Sequence, residues 1–406
     1  MPERPQRHKA TVVRWRGSAT PSPSSSSAGP RTNSGPSGQT VMVTSGPNRS
    51  ARSGSGAAVL SEVLRDEGVR TPPEYATAMP LPAPRGRLSE LLLDVFAGSA
   101  PAADVCSAAQ DWDGADILRD EDVQLTLTLL YELHLQGLSG VGDEWEWDAD
   151  LLAARAVLER PFERALRELV LSPDATDVQA GLVELTSAEG GPGLSRHMAR
   201  TATLPQWREF LVHRSIYQLR EADPHTLGIP RLAGATKAAL VEVQADEYGG
   251  GRPERMHSAL FARTMRELGV DSAYAAHLNR VPAITLASVN ALSLFAVHRR
   301  LLGALVGHLC AVEMTSSLPS KLYAHGLRRL GFGMGATLFF DEHVEADAVH
   351  EQIVCRDLAG GLAKQQPERS ADIIFGAEVC LAMDELGAQH MMDSWAAGTS
   401  SLRRLA

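Results

Sequence analysis

The sequence predicts an all-α fold, a helical bundle running from about residue 85 to about residue 400. Apolar residues recur at i, i+3, i+4 and i+7 spacing through most of that span. Strand-like alternation is scarce, and Gly/Pro clusters such as ADPHTLGIP and EYGGGRPER fall between the periodic segments. RLSELLLDVF and EDVQLTLTLLYELHLQ open the series. DADLLAARAVLERPFERALRELVL follows, with Asp148 or Asp150 as its N-cap, then ATDVQAGLVELTSA with Asp174 as cap. LPQWREFLVHRSIYQLREA is expected to close on Glu221. ATKAALVEVQADE should end at Glu247, stopped by three glycines, and Pro253 should start the next helix, which carries His257. The longest apolar tract, AITLASVNALSLFAVHRRLLGALVGHLCAVEM, is interrupted by Asn290, His298, Arg299 and Arg300, so it reads as a buried helix rather than a membrane span. A last helix of chemical interest covers 338–358. No internal repeat is visible, and no linker sets 85–200 apart as a subdomain.

The 406 residues are 44% hydrophobic and 22% charged, the composition of a soluble globular protein. Residues 1–58 differ: PSPSSSSAGPRTNSGPSGQT has too few apolar residues to fold, so a disordered leader is expected to about residue 60. That stretch holds eight Lys/Arg and one acid, about +7, which leaves about −17 (−10 − 7) for the rest. The acidic body argues against nucleic-acid binding. No apolar run follows the N-terminal arginines, so no secretory signal is expected. Cys106, Cys310, Cys355 and Cys380 are widely spaced, with no C-x-x-C, as in reduced thiols of the cytoplasm.

Within FFDEHVEADAVHEQ, His343, Asp347 and His350 form H-x3-D-x2-H. At about 100° per residue, Asp347 lies roughly 40° from His343 and His350 roughly 20° to the other side. Phe339, Phe340 and Val354 share that face, while Glu342, Glu345 and Glu351 turn away. Three polar groups therefore face the core and need partners there. Either they are satisfied core side chains or they form one wall of an iron or zinc site. Glu313 lies above Leu302, Val306 and Leu309 on an apolar stripe, where an ionised carboxylate needs a cation or a pairing with Arg299 or Arg300. Glu247 follows Leu240 and Val243 around a core face, and the glycine break lets it converge with His257. Glu221 adds a fourth carboxylate. Four carboxylates and three histidines exceed what one metal binds and suit two irons.

QLREADPH, DEYGGGRPERMHSALF, AVEM and FFDEHVEADAVHE together resemble the haem-oxygenase-like diiron oxidase and oxygenase family, also called iron-containing redox enzymes. Its members include N-oxygenases, a fatty-acid decarboxylase and an amino-acid-fragmenting oxidase. The likeness is close over about 205–358 and looser from about 120 onward. The family's ligand pattern is Glu, a second Glu, a His ten residues later, a third Glu, then H-x3-D-x2-H. Glu221, Glu247, His257, Glu313, His343, Asp347 and His350 match it in order and type. The resemblance implies two Fe(2+) per chain and O2-dependent oxidation of an amine, amino acid or fatty acid, with no catalytic side chain beyond the ligands. An electron donor and a homodimer are left open; no nucleic acid or membrane is expected. Tyr217, Phe261, His308 and Phe340 are candidates to line a substrate pocket. A haem protein would leave the carboxylates unexplained. An iron-binding or ferroxidase-type bundle usually repeats Glu-x-x-His on two helices, which this sequence lacks.

Overall fold

The structure is a computed structural model that describes residues 78–170, 177–187 and 193–405, without the side chains of 345–348. The expected leader and Asp174 lie outside the described residues. Helices α1 (Arg87–Phe96), α2 (Ala102–Gln110), α3 (Glu121–Glu132) and α4 (Ala149–Leu169) come first. They are followed by α5 (Val178–Ser187), α6 (Leu194–Arg200), α7 (Leu204–Gln218) and the single turn α8 (Asp223–Thr226). Then come α9 (Gly234–Glu247), α10 (His257–Glu267), α11 (Ala283–Val297) and α12 (Leu302–Thr315). The order ends with α13 (Ser317–Arg329), α14 (Met334–Gln352), α15 (Gly360–Gln365) and α16 (Ser370–Ala396). Among the described residues no strand forms beyond an isolated bridge between Met79 and Leu138, so the fold is all-α as expected.

Local signals explain most boundaries. Asp148, not Asp150, caps α4, its carboxylate accepting from the backbone N–H of Asp150 and Leu151 at 3.0 Å. Asp177 does the same for α5, accepting from Gln179 and Ala180. Thr203 and Gln206 form a reciprocal capping box at α7. The long apolar tract is two helices rather than one: the chain bends by 103° between α11 and α12, around His298. Among the described residues no single helix is long and apolar enough to cross a membrane.

Helix α11 is buried on nearly every side, and Phe295 meets Phe375 of α16 edge-on at 5.7 Å. Where α12 crosses α16 the two backbones touch. A Cβ at Gly307 would run into the Ile373 carbonyl, and one at Gly376 into that of Ala304. Helix α14 continues as a π-helical stretch, Ile353–Ala359, so the α-helix expected over 338–358 starts earlier and changes winding after Gln352.

Candidate metal centre

Five segments bring the predicted residues together. Glu221 does not close α7 but stands in the turn beyond it, which passes through Ala222 at φ 76°. Such a conformation costs about 1–3 kcal/mol for a residue with a Cβ. The surroundings hold it: Gln244 donates to the Ala222 carbonyl at 2.8 Å, and Tyr248 donates to Asp223 at 2.8 Å. Arg220, buried, pairs with Glu132 at 3.0 Å and reaches Ser293 at 3.2 Å. A rigid turn thus aims the Glu221 carboxylate inward.

Glu247 ends α9 as expected. Gly249, Gly250 and Gly251 all have positive φ, and a Cβ on Gly249 would clash with the Arg255 backbone. Pro253–Arg255 is a separate 3-10 turn, so His257 is itself the first residue of α10. The reversal brings Nδ1 of His257 to 2.9 Å from a Glu247 oxygen.

Six of the seven predicted ligands are buried and fall into two groups. Glu221, His257 and His343 each offer a donor atom within 4.8 Å of the others, and so do Glu247, Glu313 and His350. The backbone of Asp347 lies on α14 between His343 and His350; its side chain is outside the described residues. His343 donates Nδ1–H to the Phe339 carbonyl at 2.7 Å, which leaves Nε2 with its lone pair, 3.8 Å from Glu221. His257 and His343 lie with ring centres 4.4 Å apart. Burial, reinforced by His343, pulls the His257 pKa down to about 4. His350 behaves oppositely. Burial disfavours its charge, but Glu313 and Asp246 outweigh burial and push it up to about 9.

Asp246 is a residue that sequence reasoning missed. One residue before Glu247, it points away from the core face of α9 and is 65% exposed along its side chain. Yet its carboxylate lies 3.1 Å from Nε2 of His350, while Nδ1 faces Glu313 at 3.1 Å. The helical-wheel position was right, but His350 reaches out to it. The alternative pairing of Glu313 with Arg299 or Arg300 is not what forms: Arg300 pairs with Glu163 on α4, and Glu313 pairs with His350.

The donor set fits a transition metal. Burial raises the Glu313 pKa, opposed by His350 and reinforced by the charge of Glu247, so a cation would relieve the carboxylates. A Glu221 oxygen is buried without a hydrogen-bond partner among the described residues. A void of about 10 Å³ lies between Glu221, Glu247, Glu313 and His343. Three carboxylates with three imidazoles are the ligand types of iron, manganese or zinc.

A second, larger cavity of about 220 Å³ adjoins this void. Tyr217, Glu221, Val312, Ser316 and His343 belong to both walls. Tyr217, Phe261, His308 and Phe340, the four pocket candidates, all line the larger one. His308 there contacts His225, which lines the void, with Nδ1 and Nε2 at 3.2 Å. Burial holds both rings neutral, His308 at about 4 and His225 well below its ordinary value, with the neighbouring His308 adding to the effect of burial there.

The bundle and its buried donors thus define an all-α protein with two Glu/His groups able to hold metal ions. Residues 208–385 match the model of the iron-containing redox enzyme family. That match, over somewhat less than half of the chain, supports a haem-oxygenase-like relationship for this segment. A search of curated proteins finds no match.

Proposed function

We propose that this protein is a non-haem diiron oxidase or oxygenase that uses O2 to oxidise a small organic molecule. The observation that carries the reading is the convergence of Glu221, Glu247, His257, Glu313, His343 and His350 beside a cavity. Glu221, His257 and His343 would hold one iron and Glu247, Glu313 and His350 the other, with Asp347 completing the set by its place in H-x3-D-x2-H. Iron bound there supplies the electrons that ground-state O2 needs to react with closed-shell molecules.

The chain's own groups have separable tasks. The carboxylates offset positive charge, and the imidazoles donate neutral nitrogen. The Phe339 carbonyl fixes the His343 tautomer by accepting a hydrogen bond from its Nδ1–H. Aromatic walls keep the cavity apolar next to Glu221 and His343. The His308–His225 pair connects cavity and void by one shared N–H, a path along which a proton can move. A 220 Å³ cavity sharing five residues with the void favours an organic substrate over iron storage or simple iron oxidation.

Anaerobic Fe(II) titration of the full chain tests the reading. Uptake should saturate at two per chain, and mixing with O2 should then consume it. Saturation at one, or at none, overturns the diiron assignment.

A further inference from the structure

The cavity wall has one charged pair that the metal reading does not use. Arg214 lines it from α7 and donates to Asp384 of α16 at 2.7 Å. The guanidinium lies 5.6 Å from the centre of the Phe210 ring. The side chains of Arg214 and Asp384 are 31% and 55% exposed, which puts the pair toward the mouth. Arg214 precedes Glu221 by seven residues, and both line the cavity. Gln218, one turn on from Arg214, lines the same wall. Between the pair and the donors the wall is largely aromatic: Phe261, Phe339, Phe340, Tyr217 and Tyr323.

We propose that the cavity is a binding site for a zwitterionic amino acid with an aryl-sized apolar side chain. Its carboxylate sits on Arg214, its ammonium on Asp384, and its side chain points toward Glu221 and His343. The assignment rests on the reading of the donors as a centre that oxidises a small organic molecule, and it names the class of that molecule.

Charge balance selects this class. A fatty acid would engage only Arg214 and an amine only Asp384, so each would use one half of the pair. A zwitterion brings both complementary charges and leaves each group matched. The guanidinium has five N–H donors and needs only one for Asp384, so a carboxylate can be held by others. Size agrees: a cavity of about 150 Å³ in another protein accepts benzene, and this one is about 220 Å³. With the head group fixed at the mouth, the amine is held away from the donors and the far end of the side chain meets them.

Calorimetric titration of the full chain, metal-free and anaerobically loaded with Fe(II), decides the matter. The probes are L-phenylalanine, 2-phenylethylamine, 3-phenylpropionate and decanoate. L-Phenylalanine should bind at least about tenfold tighter than each of the others, the worth of one charge-assisted bond. R214Q and D384N should each erase that preference while Fe(II) uptake stays at the wild-type level. If either variant fails to fold, R214K and D384E replace them and should weaken L-phenylalanine binding by a smaller factor. Equal or tighter binding of decanoate or 3-phenylpropionate overturns the proposal. So does the absence of saturable L-phenylalanine binding, or a preference indifferent to the substitutions. Fe(II) uptake, measured on the same samples, reports separately on the metal reading.

Discussion

The two donor groups have similar ligands but different surroundings. Glu221, His257 and His343 sit beside the large cavity, which Glu221 and His343 line directly. Glu247 and Glu313 line only the small void, and His350 of the same group reaches the exposed Asp246 on the other side. One group faces the proposed substrate, and the other is tied to solvent through a carboxylate. On the proposed diiron reading, the difference teaches that one half of the site would serve reactivity while the other serves retention and charge.

Removing the cavity-side carboxylate tests this contrast most severely. Glu221→Ala should lower O2 consumption by at least about a hundredfold, beyond the loss of an outer partner, while one iron remains bound. Loss of both irons would show that the groups act as one unit, and the contrast would fail. On the other side, Glu313→Gln removes a buried charge with little change of shape. Burial disfavours that charge while His350 pairs with it, so the metal-free protein should melt at nearly the same temperature, while iron uptake falls by one. An early-melting variant with full iron would remove Glu313 from the site.

Acid sensitivity should come from the cavity side. His213, held between Thr285 and Ser401, is pulled down to about 3 by burial, and His308 to about 4. Both are depressed below the unfolded value of 6.5, so their contribution is complete above pH 6.5. It is lost as pH falls toward 4 and 3, at up to about 1.4 kcal/mol per pH unit for each group. Denaturant melts of the metal-free chain between pH 7 and pH 4.5 should show this slope, and His213→Gln should flatten it. The smallest effect belongs to Asp246→Asn. It should weaken one of two Fe(II) sites by about tenfold and leave the other unchanged, as outer carboxylates on ligating histidines do. Equal weakening of both would mean that His350 serves both positions.

Much of the fold was legible because apolar periodicity and capping residues are local signals. RLSELLLDVF became α1 without adjustment, and Asp148 capped α4 as one of two options. The bend at His298 was harder to read, since Ala283–Thr315 is apolar enough to run as one helix and only packing decides the break. The convergence of Glu247 with His257 followed from the glycines between them, whose positive φ is a sequence-level property. Glu221 was harder to place, because its position depends on Ala222 adopting a conformation that alanine does not signal. Asp246 and Asp384 escaped for a different reason. Each is exposed and acts on a partner from a distant segment, a relation that periodicity within one helix does not carry. Arg214 left a faint trace, standing at i and i+7 with Glu221 on one face of α7 and its following turn.

The crossing of α12 and α16 has a consequence for inheritance. Gly307 and Gly376 touch neither donor group, yet each stands where one added carbon would meet a backbone carbonyl. Helix α12 carries Glu313 and His308, and α16 carries Asp384, so a methyl group at the crossing would shift a ligand and both walls of the cavity together. A lineage could thus lose metal and substrate in one mutational step at a residue that contacts neither. The chemistry of this bundle is guarded in part by two positions whose contribution is to have no side chain.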